Sequence, residues 1–324
     1  MVTTSIVMAV YNGQKFLMEQ LNSIETQIVR TDQLILVDDC SEDCSLEILR
    51  RFANQSSINT MVLSTQRNMG HAATFEFGLK HAEGDLIFFC DQDDIWLPEK
   101  IQEIVSLAQK RTNCLAFTND VIVTDEYLTP ISTSLLHDAQ KIWPIPTESY
   151  FLGCASAIRR EVLDFGIPFP KAFSTHDRWL LQLANGLGGR VIHNKALQCW
   201  RRHETNTSTL FSRGRFPTLQ YFKERHRNAQ LENKIDKEID EVSEILARVK
   251  KLASEKRLGR FSENAENFQS ILERKKAILE YRSGIRKYKP LTRFITLAGN
   301  MLLRRHKGTG WRSAISDITY INRD

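Results

Sequence analysis

The sequence lacks several features that would assign it to a well-defined class of protein. Its apolar runs fall short of the roughly 18 residues that a membrane-spanning helix needs. Its six cysteines follow no paired zinc-binding spacing, so reduced core thiols in a reducing, cytoplasmic compartment are expected. The first residues, Met1-Val2-Thr3-Thr4, lack a basic flank, which predicts that they are not a signal peptide.

A phosphate-binding glycine loop is also missing. The first β-like run, Ser5 to Tyr11, is followed by Asn12-Gly13-Gln14 and not by Gly-x-Gly-x-x-Gly. A nicotinamide-dependent oxidoreductase uses those glycines to bring the backbone close to the pyrophosphate. This class of enzyme is therefore disfavoured.

Charge is distributed unevenly along the chain. Residues 1–212 contain 18 Lys and Arg against 25 Asp and Glu, whereas residues 213–324 contain 26 against 14. Segment 282–312 has nine basic residues and no acidic one, which is typical of contact with nucleic acid or an anionic membrane surface. Because the N-terminal part is acidic, nucleic acid is not the expected partner there. The sequence predicts a catalytic domain over 1–212 and a basic helical region over 213–324.

Short apolar runs alternate with segments of helical spacing in the first part of the chain. This alternation predicts strand–helix–strand units and an α/β fold with a largely parallel sheet. Ligands of such a sheet gather at the carboxyl ends of its strands. The expected strands are 5–11, 33–37, 60–64 and 86–90, followed by short strands at 115–118 and 121–123.

An acidic loop directly follows the strand at 86–90. Asp91, Asp93 and Asp94 place three carboxylates within four positions at the edge of a buried sheet. Because such close carboxylates repel each other, a positive group is expected beside them. Mg²⁺ and Mn²⁺ take oxygen ligands and often combine carboxylates with substrate phosphates. The loop is therefore predicted to clamp a diphosphate through a divalent cation.

A second acidic pair, Asp38 and Asp39, follows the second predicted strand. Either cluster alone fits solvated loop acids or helix caps, since Asp is a favoured N-cap residue. Two clusters at equivalent strand ends favour a shared site. A carboxylate after the second strand has a specific use there, because it accepts a hydrogen bond from a pyrimidine N–H or a ribose hydroxyl.

Four motifs stand out in order along the chain: Ser5 to Gly13, Val37 to Ser41, Arg67 to Gly70 and Asp91 to Trp96. Together they resemble the motifs of inverting family 2 glycosyltransferases with a GT-A fold. The Asp-Gln-Asp-Asp-Ile-Trp form is most similar to bacterial rhamnosyltransferase-like members that build surface polysaccharide. The resemblance implies a Rossmann-like sheet flanked by helices, a nucleotide-diphosphate sugar donor, a divalent metal and an acceptor hydroxyl.

The resemblance also implies roles for individual residues. Asp39 would bind the nucleobase, and Asp93 with Asp91 would form the Asp-x-Asp element that holds Mg²⁺ or Mn²⁺. Asp94 is the second choice as a metal ligand, and a surface ion pair is the alternative for Arg67. The implied donor-binding residues are Ala9, Tyr11, Asp38, Asp39, Arg67, Asn68, Asp91, Gln92, Arg201 and His203.

Inverting transfer also needs a base that removes the proton of the acceptor hydroxyl. The resemblance places this base at Asp177, although a helix-start acid is the alternative and the helix dipole would weaken it as a base. His176 either orients the acceptor or is a neighbour of a helix cap. Trp179 either forms a wall for a sugar or belongs to the core, and Gly153 either faces the acceptor or forms a turn.

The segment from Gln198 to Asn206 resembles a tyrosine-arginine-x-histidine element of the same subgroup, with Trp200 in place of the tyrosine. Arg201 or Arg202 would meet the diphosphate. His203 would face the phosphates or the metal, with a solvent-facing position as the alternative. The Gln-x-x-Arg-Trp motif of processive synthases is missing, so single-sugar transfer is expected.

Charged segments with helical spacing at 219–251 and 264–288 predict a helical pair broken near 258–260. This pair packs either on the catalytic domain or on a second subunit. The short apolar run 291–303 and the basic residues at 304–307 are typical of an interfacial segment on anionic headgroups. Peripheral contact with the inner face of the cell membrane is therefore one expectation.

These features predict an inverting, metal-dependent, non-processive glycosyltransferase. It would move one sugar from dTDP-rhamnose or a UDP-sugar to a hydroxyl of a growing cell-surface polysaccharide or lipid-linked glycan. The alternative from a different class is a non-catalytic nucleotide-sugar-binding scaffold of a polysaccharide assembly complex.

Overall fold

The computed structural model describes residues 2–142, 152–206 and 231–286. In the first two ranges strands and helices alternate, as the apolar pattern predicts. The strands are β1 (Thr4–Val10), β2 (Gln33–Asp38), β3 (Thr60–Ser64), β4 (Leu86–Cys90), β5 (Ile95–Trp96), β6 (Ala116–Thr124), β7 (Pro130–Ser132), β8 (Ser156–Arg159) and β9 (Arg190–Arg201). The helices are α1 (Leu17–Glu25), α2 (Ser45–Gln55), α3 (His71–Leu79), α4 (Lys100–Lys110), α5 (Leu135–Ile142), α6 (Glu161–Gly166) and α7 (His176–Leu187).

The nine strands of these two ranges form one sheet in the order β3-β2-β1-β4-β8-β6-β9-β5, with β7 paired to β6. Strands β1 to β4 run parallel, so that Met8 lies opposite Leu36 on one side and Cys90 on the other. Strand β8 is antiparallel to both β4 and β6, and β6 is parallel to β9. Consequently β1, β2, β4, β6 and β9 all end at the same edge. The predicted α/β fold is confirmed, with a parallel half and a mixed half.

One strand prediction was wrong. The expected short strands at 115–118 and 121–123 are a single strand, β6, whose pairing with β9 is irregular around Asn119 and Asp120. The buried carboxylate of Asp120 accepts hydrogen bonds from the N–H groups of Val121 and Leu136. The polar residues that suggested a break therefore connect β6 to α5.

The parallel half of the sheet is covered on both faces. Met8 and Phe88 belong to a core cluster shared with residues of α1, α2 and α4. On the other face, a Cβ atom on Gly78 of α3 would lie 2.7 Å from Val7 Cγ1 and 2.8 Å from Val37 Cγ2. The glycine therefore lets α3 lie directly on β1 and β2.

Two further helices are α8 (Leu231–Ser254) and α9 (Ser262–Arg286), joined by a 3₁₀ turn at Gly259–Phe261. They confirm the predicted helical pair with a break near 258–260. Among the described residues, those up to Asn206 together with 251–268 form one compact unit, and 231–250 with 269–286 form a second. Within the second unit, Lys275 Nζ lies 2.8 Å from Glu238 Oε1.

Several predictions fall on residues outside the described ranges. They concern the domain boundary at 212–213, the apolar run 291–303 and its basic flank at 304–307. Across the ranges that are described, none of the helices combines the length and the apolar character that crossing a bilayer would require.

The close packing at Gly78 generates a prediction. Gly78→Ala should destabilise the protein by about 1–3 kcal/mol, because the new methyl group overlaps two valine side chains in a packed core. The matched control is Gly284→Ala in α9, where, in the part of the chain that is described, no atom outside the surrounding helix backbone lies within 4 Å of the added Cβ. That change should stabilise by about 0.5–1 kcal/mol, because alanine favours the helix. Thermal unfolding monitored by circular dichroism checks the two signs, and an equal response to both changes would contradict the packing argument.

Candidate active site

Loops at the shared carboxyl edge of the sheet bring the two acidic clusters together. Strands β1 and β2 are paired from Ser5↔Gln33 to Val10↔Asp38, and β4 joins the other side of β1. The residues that follow β1, β2 and β4 therefore emerge next to one another. The side-chain amide of Gln92 ties two of these loops together, since it accepts the Tyr11 N–H at 2.8 Å and donates to the Tyr11 carbonyl at 3.1 Å.

The contacts of Gln92 correct its predicted role. A Cβ atom on Gly13 would lie 2.5 Å from Gln92 Oε1, so a larger residue at this position would displace the Gln92 amide. Because both ends of the Gln92 amide are bound to the main chain of Tyr11, the residue positions the loop. A direct donor contact of this side chain is not supported.

The three aspartates of the acidic loop occupy different environments. Asp94 is fully buried, and it accepts the Arg201 N–H at 3.1 Å and the Gln198 Nε2–H at 2.9 Å. Burial, followed by the nearby charges of Asp93 and Asp91, raises the pKa of Asp94 well above its usual value. Asp94 is thus a structural acid that holds the loop to β9.

Asp91 and Asp93 are more accessible, with side chains 34% and 15% exposed. Asp93 Oδ2 lies 2.9 Å from His203 Nε2 and accepts Asn206 Nδ2–H at 3.0 Å. Asp91 Oδ1 lies 3.8 Å from His71 Nε2. Burial acts to raise the pKa of Asp91, but the neighbouring His71 outweighs it and lowers that pKa. Asp91 therefore favours its charged form.

The residues present fit a hard divalent cation. One ligand atom each from Asp91, Asp94 and Cys154 lies within 4.8 Å of the others. Burial raises the pKa of the Cys154 thiol well above its usual value, so the thiol stays protonated and is a poor ligand. The two oxygens of Asp94 are already used by β9. The accessible carboxylates of Asp91 and Asp93 are oxygen ligands of the type that Mg²⁺ and Mn²⁺ prefer.

Asp38 and Asp39 are both buried but differ in their partners. Asp39 accepts the N–H groups of Met69 at 2.8 Å and Gly70 at 2.9 Å, and the hydroxyl of Thr65 at 3.1 Å. It thereby holds the loop that contains Arg67 and Asn68, whose side chains are exposed. Asp38 Oδ2 accepts the Ser41 N–H at 3.2 Å, whereas its Oδ1 has no partner among the described residues. Of the two, Asp38 is the one with an unsatisfied acceptor.

The predicted base, Asp177, lies in the first turn of α7 and is partly exposed. Its Oδ2 accepts the Gly153 N–H at 3.1 Å, and its Oδ1 accepts the Arg178 N–H at 2.6 Å. A Cβ atom on Gly153 would lie 2.9 Å from the Asp177 Cβ. Glycine at 153 therefore permits the close approach that holds this carboxylate.

His71, which the sequence did not single out, lies between the acidic loop and the predicted base. Burial disfavours its protonated form, but the carboxylates of Asp91, Asp177 and Asp93 outweigh this effect and raise its pKa. The acidic loop and Asp177 thus both act electrostatically on the same histidine. Its position directly after the Arg67–Gly70 motif was the one available signal.

Two predicted acceptor contacts are corrected by burial. Trp179 is fully buried, its indole N–H donates to the Gly166 carbonyl at 2.8 Å, and its ring lies 5.1 Å from that of Phe173. His176 is 1% exposed and stacks on Phe75 with ring centroids 3.7 Å apart. Trp179 is therefore a core residue. His176 is also buried, at the start of α7, where it packs against Phe75.

The cationic segment at the end of β9 is also revised. Arg201 is buried, donates to Glu19 Oε2 at 2.5 Å and to the Glu126 carbonyl at 3.1 Å, and lies over the Phe16 ring. Its guanidinium is occupied by these partners, so the predicted contact with a diphosphate is not supported. Arg202 lies over the Trp200 ring, and the charges of Asp93 and Asp94 act on it. Of the two arginines, Arg202 is thus the one on which the charges of the acidic loop act.

His176 generates a pH prediction. Burial lowers its pKa to about 3, so between about pH 3 and 6.5 the folded state binds fewer protons than the unfolded state. Stability should therefore fall as the pH falls through that window. Between pH 7 and pH 5 the loss due to this residue should be about 2 kcal/mol, and His176→Phe should remove it.

Urea unfolding at several pH values measures this difference. His137→Gln is the control, because that side chain is 62% exposed. Its unfolding free energy should follow the pH dependence of the unmodified protein. Parallel curves for His176→Phe and the unmodified protein would show that His176 is not a buried neutral imidazole.

Comparison with solved structures defines the class of protein. The crystal structure of Staphylococcus aureus TarS residues 1–349 in complex with UDP-GlcNAc matches with a TM-score of 0.52 and 17% identity, over 83% of this chain and 92% of that one. At this identity the match shows the fold alone, which is that of the GT-A glycosyltransferases.

The family follows from the sequence comparison. The model of glycosyl transferase family 2 matches residues 5–166, and the chain belongs to this family. Bacillus subtilis putative glycosyltransferase EpsE is 31% identical over 38% of this chain and 44% of its own length. An undecaprenyl-phosphate 4-deoxy-4-formamido-L-arabinose transferase of Pseudomonas syringae is 34% identical over 33% of this chain and 32% of its own. The matched segments thus span less than half of these curated relatives.

Proposed function

We propose that the protein is an inverting, metal-dependent, non-processive glycosyltransferase that transfers one sugar from a nucleotide-diphosphate donor to a hydroxyl of a glycan. This proposal is supported by the proximity of the proposed base and the proposed leaving-group site at one edge of the sheet. The carboxylate of Asp177, held by Gly153, and the carboxylates of Asp91 and Asp93 all act on the pKa of His71. A base and a leaving-group site are thus close neighbours.

The proton transfer is assigned to Asp177. Its carboxylate takes the proton of the acceptor hydroxyl while the hydroxyl oxygen forms a bond to the anomeric carbon of the donor. The bond from that carbon to the diphosphate breaks, and the nucleoside diphosphate leaves with the electron pair. Because attack and departure occur on opposite faces, a single displacement inverts the anomeric configuration. The hydrogen bond from Gly153 N–H fixes one carboxylate oxygen and leaves the group oriented for this step.

The leaving group is assigned to the acidic loop. Asp91 and Asp93 would hold Mg²⁺ or Mn²⁺, which when bound supplies positive charge beside the diphosphate. His203 and Asn206 orient Asp93 through its Oδ2. Of Arg201 and Arg202, which were both considered for the diphosphate, Arg202 is preferred, because the charges of Asp93 and Asp94 in the acidic loop act on it.

The nucleobase is assigned to the residues at the ends of β1 and β2. Asp38 Oδ1 is a buried acceptor with no partner among the described residues, and a pyrimidine N–H would satisfy it. Tyr11 is 44% exposed and Ala9 is half-buried on the neighbouring strand, so both are available to line the base. Asp39 acts indirectly, by holding the loop that carries Arg67 and Asn68.

The donor sugar has two candidates that share a pyrimidine base. The motif resemblance favours dTDP-rhamnose, whereas the TarS structures contain UDP-GlcNAc or UDP and favour a UDP-sugar. Both thymine and uracil present a ring N–H to Asp38. A donor-hydrolysis screen against a panel of nucleotide sugars with Mn²⁺ present distinguishes them.

The acceptor is assigned by the names of the relatives. One is a poly(ribitol-phosphate) β-N-acetylglucosaminyltransferase and another acts on undecaprenyl phosphate. A growing cell-surface polysaccharide or a lipid-linked glycan is therefore the acceptor class for this chain. Such an acceptor fits a cytoplasmic enzyme on the inner face of the membrane, where the basic segment 282–312 would contact anionic lipid. Homo-oligomerisation through the helical region is the alternative use of that part of the chain.

The role of Asp177 generates the first functional prediction. Asp177→Asn should lower kcat for sugar transfer by about 10²–10⁴-fold, because the amide cannot accept the proton. Donor binding, measured by calorimetry with Mn²⁺, should be unchanged. The control is Asp164→Asn, an exposed acid outside the site. Turnover equal to that of the unmodified enzyme would remove Asp177 as the base, and donor binding without any transfer by the unmodified protein would favour the scaffold function.

The metal role generates a second prediction. The unmodified protein should bind a nucleoside diphosphate more tightly in the presence of Mn²⁺ than in EDTA, and Asp93→Asn should lose most of this difference, because an amide is a weaker ligand than a carboxylate. Calorimetric titration with UDP and with dTDP measures both affinities. Asp164→Asn is again the control. Equal affinity with and without metal for the unmodified protein would exclude Asp93 as a metal ligand for the nucleotide.

A further inference from the structure

Lys100 lies in the first turn of α4 with no exposed surface, although lysine is almost never fully buried without partners. Its Nζ donates to the Cys154 carbonyl at 3.0 Å and to the Gln198 side-chain oxygen. The Nζ also lies 3.8 Å from the centre of the Trp96 ring, where an ammonium is attracted by the π system. The ammonium group is therefore held from three directions by β9, the 3₁₀ turn at Gly153–Ala155 and β5.

One of these contacts leads to the acidic loop. Gln198 accepts from Lys100 and donates its Nε2–H to Asp94 Oδ2 at 2.9 Å. The other oxygen of Asp94 accepts the Arg201 N–H. Asp94 directly follows Asp93, so Lys100, through Gln198, determines where the loop with the proposed metal ligands sits.

The other contact leads to the proposed base. Cys154, whose carbonyl accepts from Lys100, belongs to the 3₁₀ turn that begins at Gly153. The Gly153 N–H in turn donates to Asp177 Oδ2 at 3.1 Å. If this turn moved, the Gly153 N–H would move with it, and the position of the Asp177 carboxylate would change.

We propose that Lys100 is a positioning residue, which fixes the acidic loop and Asp177 relative to each other by binding Gln198 on one side and the Cys154 carbonyl on the other. This inference rests on the proposed function. An apolar side chain cannot replace it, because Lys100 donates to two separate buried acceptors, which would both be left without this donor. Reaction rates depend steeply on such placement, since an error of about 1 Å can cost about 10²-fold.

Burial lowers the pKa of Lys100 to about 8, whereas the nearby acids act to raise it. The ammonium form therefore persists at neutral pH, and it can donate to both acceptors under the conditions of an assay. The contacts with Gln198, Cys154 and Trp96 are made by protein groups alone, so the network is part of the fold.

A double-mutant cycle tests whether Lys100 acts through the placement of Asp177. Lys100→Met should lower kcat by about 10²-fold with a donor KM changed by less than about threefold. In an Asp177→Asn background, the same change should cost clearly less than it does in the unmodified enzyme, because one of the two groups that it places is already missing. Equal losses in both backgrounds would overturn the proposal, since a merely structural role gives additive effects.

Two control variants separate positioning from stability. Lys110→Met removes an exposed lysine from the last turn of the same helix and should leave kcat unchanged. Ile104→Ala removes a buried side chain from α4 and should lower the melting temperature without changing kcat per folded molecule. A loss of kcat in Ile104→Ala as large as in Lys100→Met would assign the effect to stability.

Hydrogen exchange gives a readout that does not depend on activity. In Lys100→Met, amides at 152–156 and in the acidic loop at 91–97 should exchange faster, whereas in Lys110→Met they should not. If Lys100→Met does not fold, Gln198→Leu breaks one branch, and exchange should rise at 91–97 but not at 152–156. Unchanged exchange in both segments would overturn the proposal. If the unmodified protein shows no transfer, the proposed function fails while the exchange data still decide the role of Lys100.

Discussion

Repulsion among carboxylates at one edge of the sheet is the constraint on which the rest of the site depends. Asp38 is the last residue of β2 and Asp39 follows it, whereas Asp91, Asp93 and Asp94 follow β4, and these parallel strands end together. The fold resolves the repulsion in three ways. Asp39 is stabilised by backbone N–H groups, Asp94 is buried where it accepts hydrogen bonds from Gln198 and a backbone N–H, and Asp91 and Asp93 remain partly exposed. The exposed pair is what remains for a cation and a diphosphate.

This division explains why neighbouring residues of one motif have different roles. Along the acidic loop, Asp91 and Asp93 stay partly exposed, whereas Gln92 binds the main chain of Tyr11 and Asp94 binds β9. The supporting residues fasten the loop to two different strands, so the exposed carboxylates are held at defined positions. Preorganisation of this kind is needed because charge that develops on a leaving group is best stabilised by groups that do not have to move.

Much of the site could be predicted from the sequence, and the parts that could not be predicted have a common cause. The apolar runs and the acids that end them located the edge of the sheet, because strand periodicity and parallel pairing are local consequences of residue type. The sequence could not decide between the alternatives for Trp179, His176 and Arg201, because each depended on which way a side chain faces. That direction is set by partners distant in the chain, such as Gly166, Phe75 and Glu19. No spacing rule encodes such partners.

The sequence by itself determined the α/β class, the family and the acidic loop, since these follow from short contiguous patterns. The tertiary structure alone decided which acids stay exposed, that His71 lies between the loop and Asp177, and that Lys100 is buried beneath them. From the sequence alone, Lys100 is expected to be an ordinary surface residue of an amphipathic helix. Its role arises from Cys154 and Gln198, which lie 54 and 98 positions away in the sequence and contact Lys100 only in the folded chain. Burial and long-range contact are properties of the folded chain, and local sequence does not specify them.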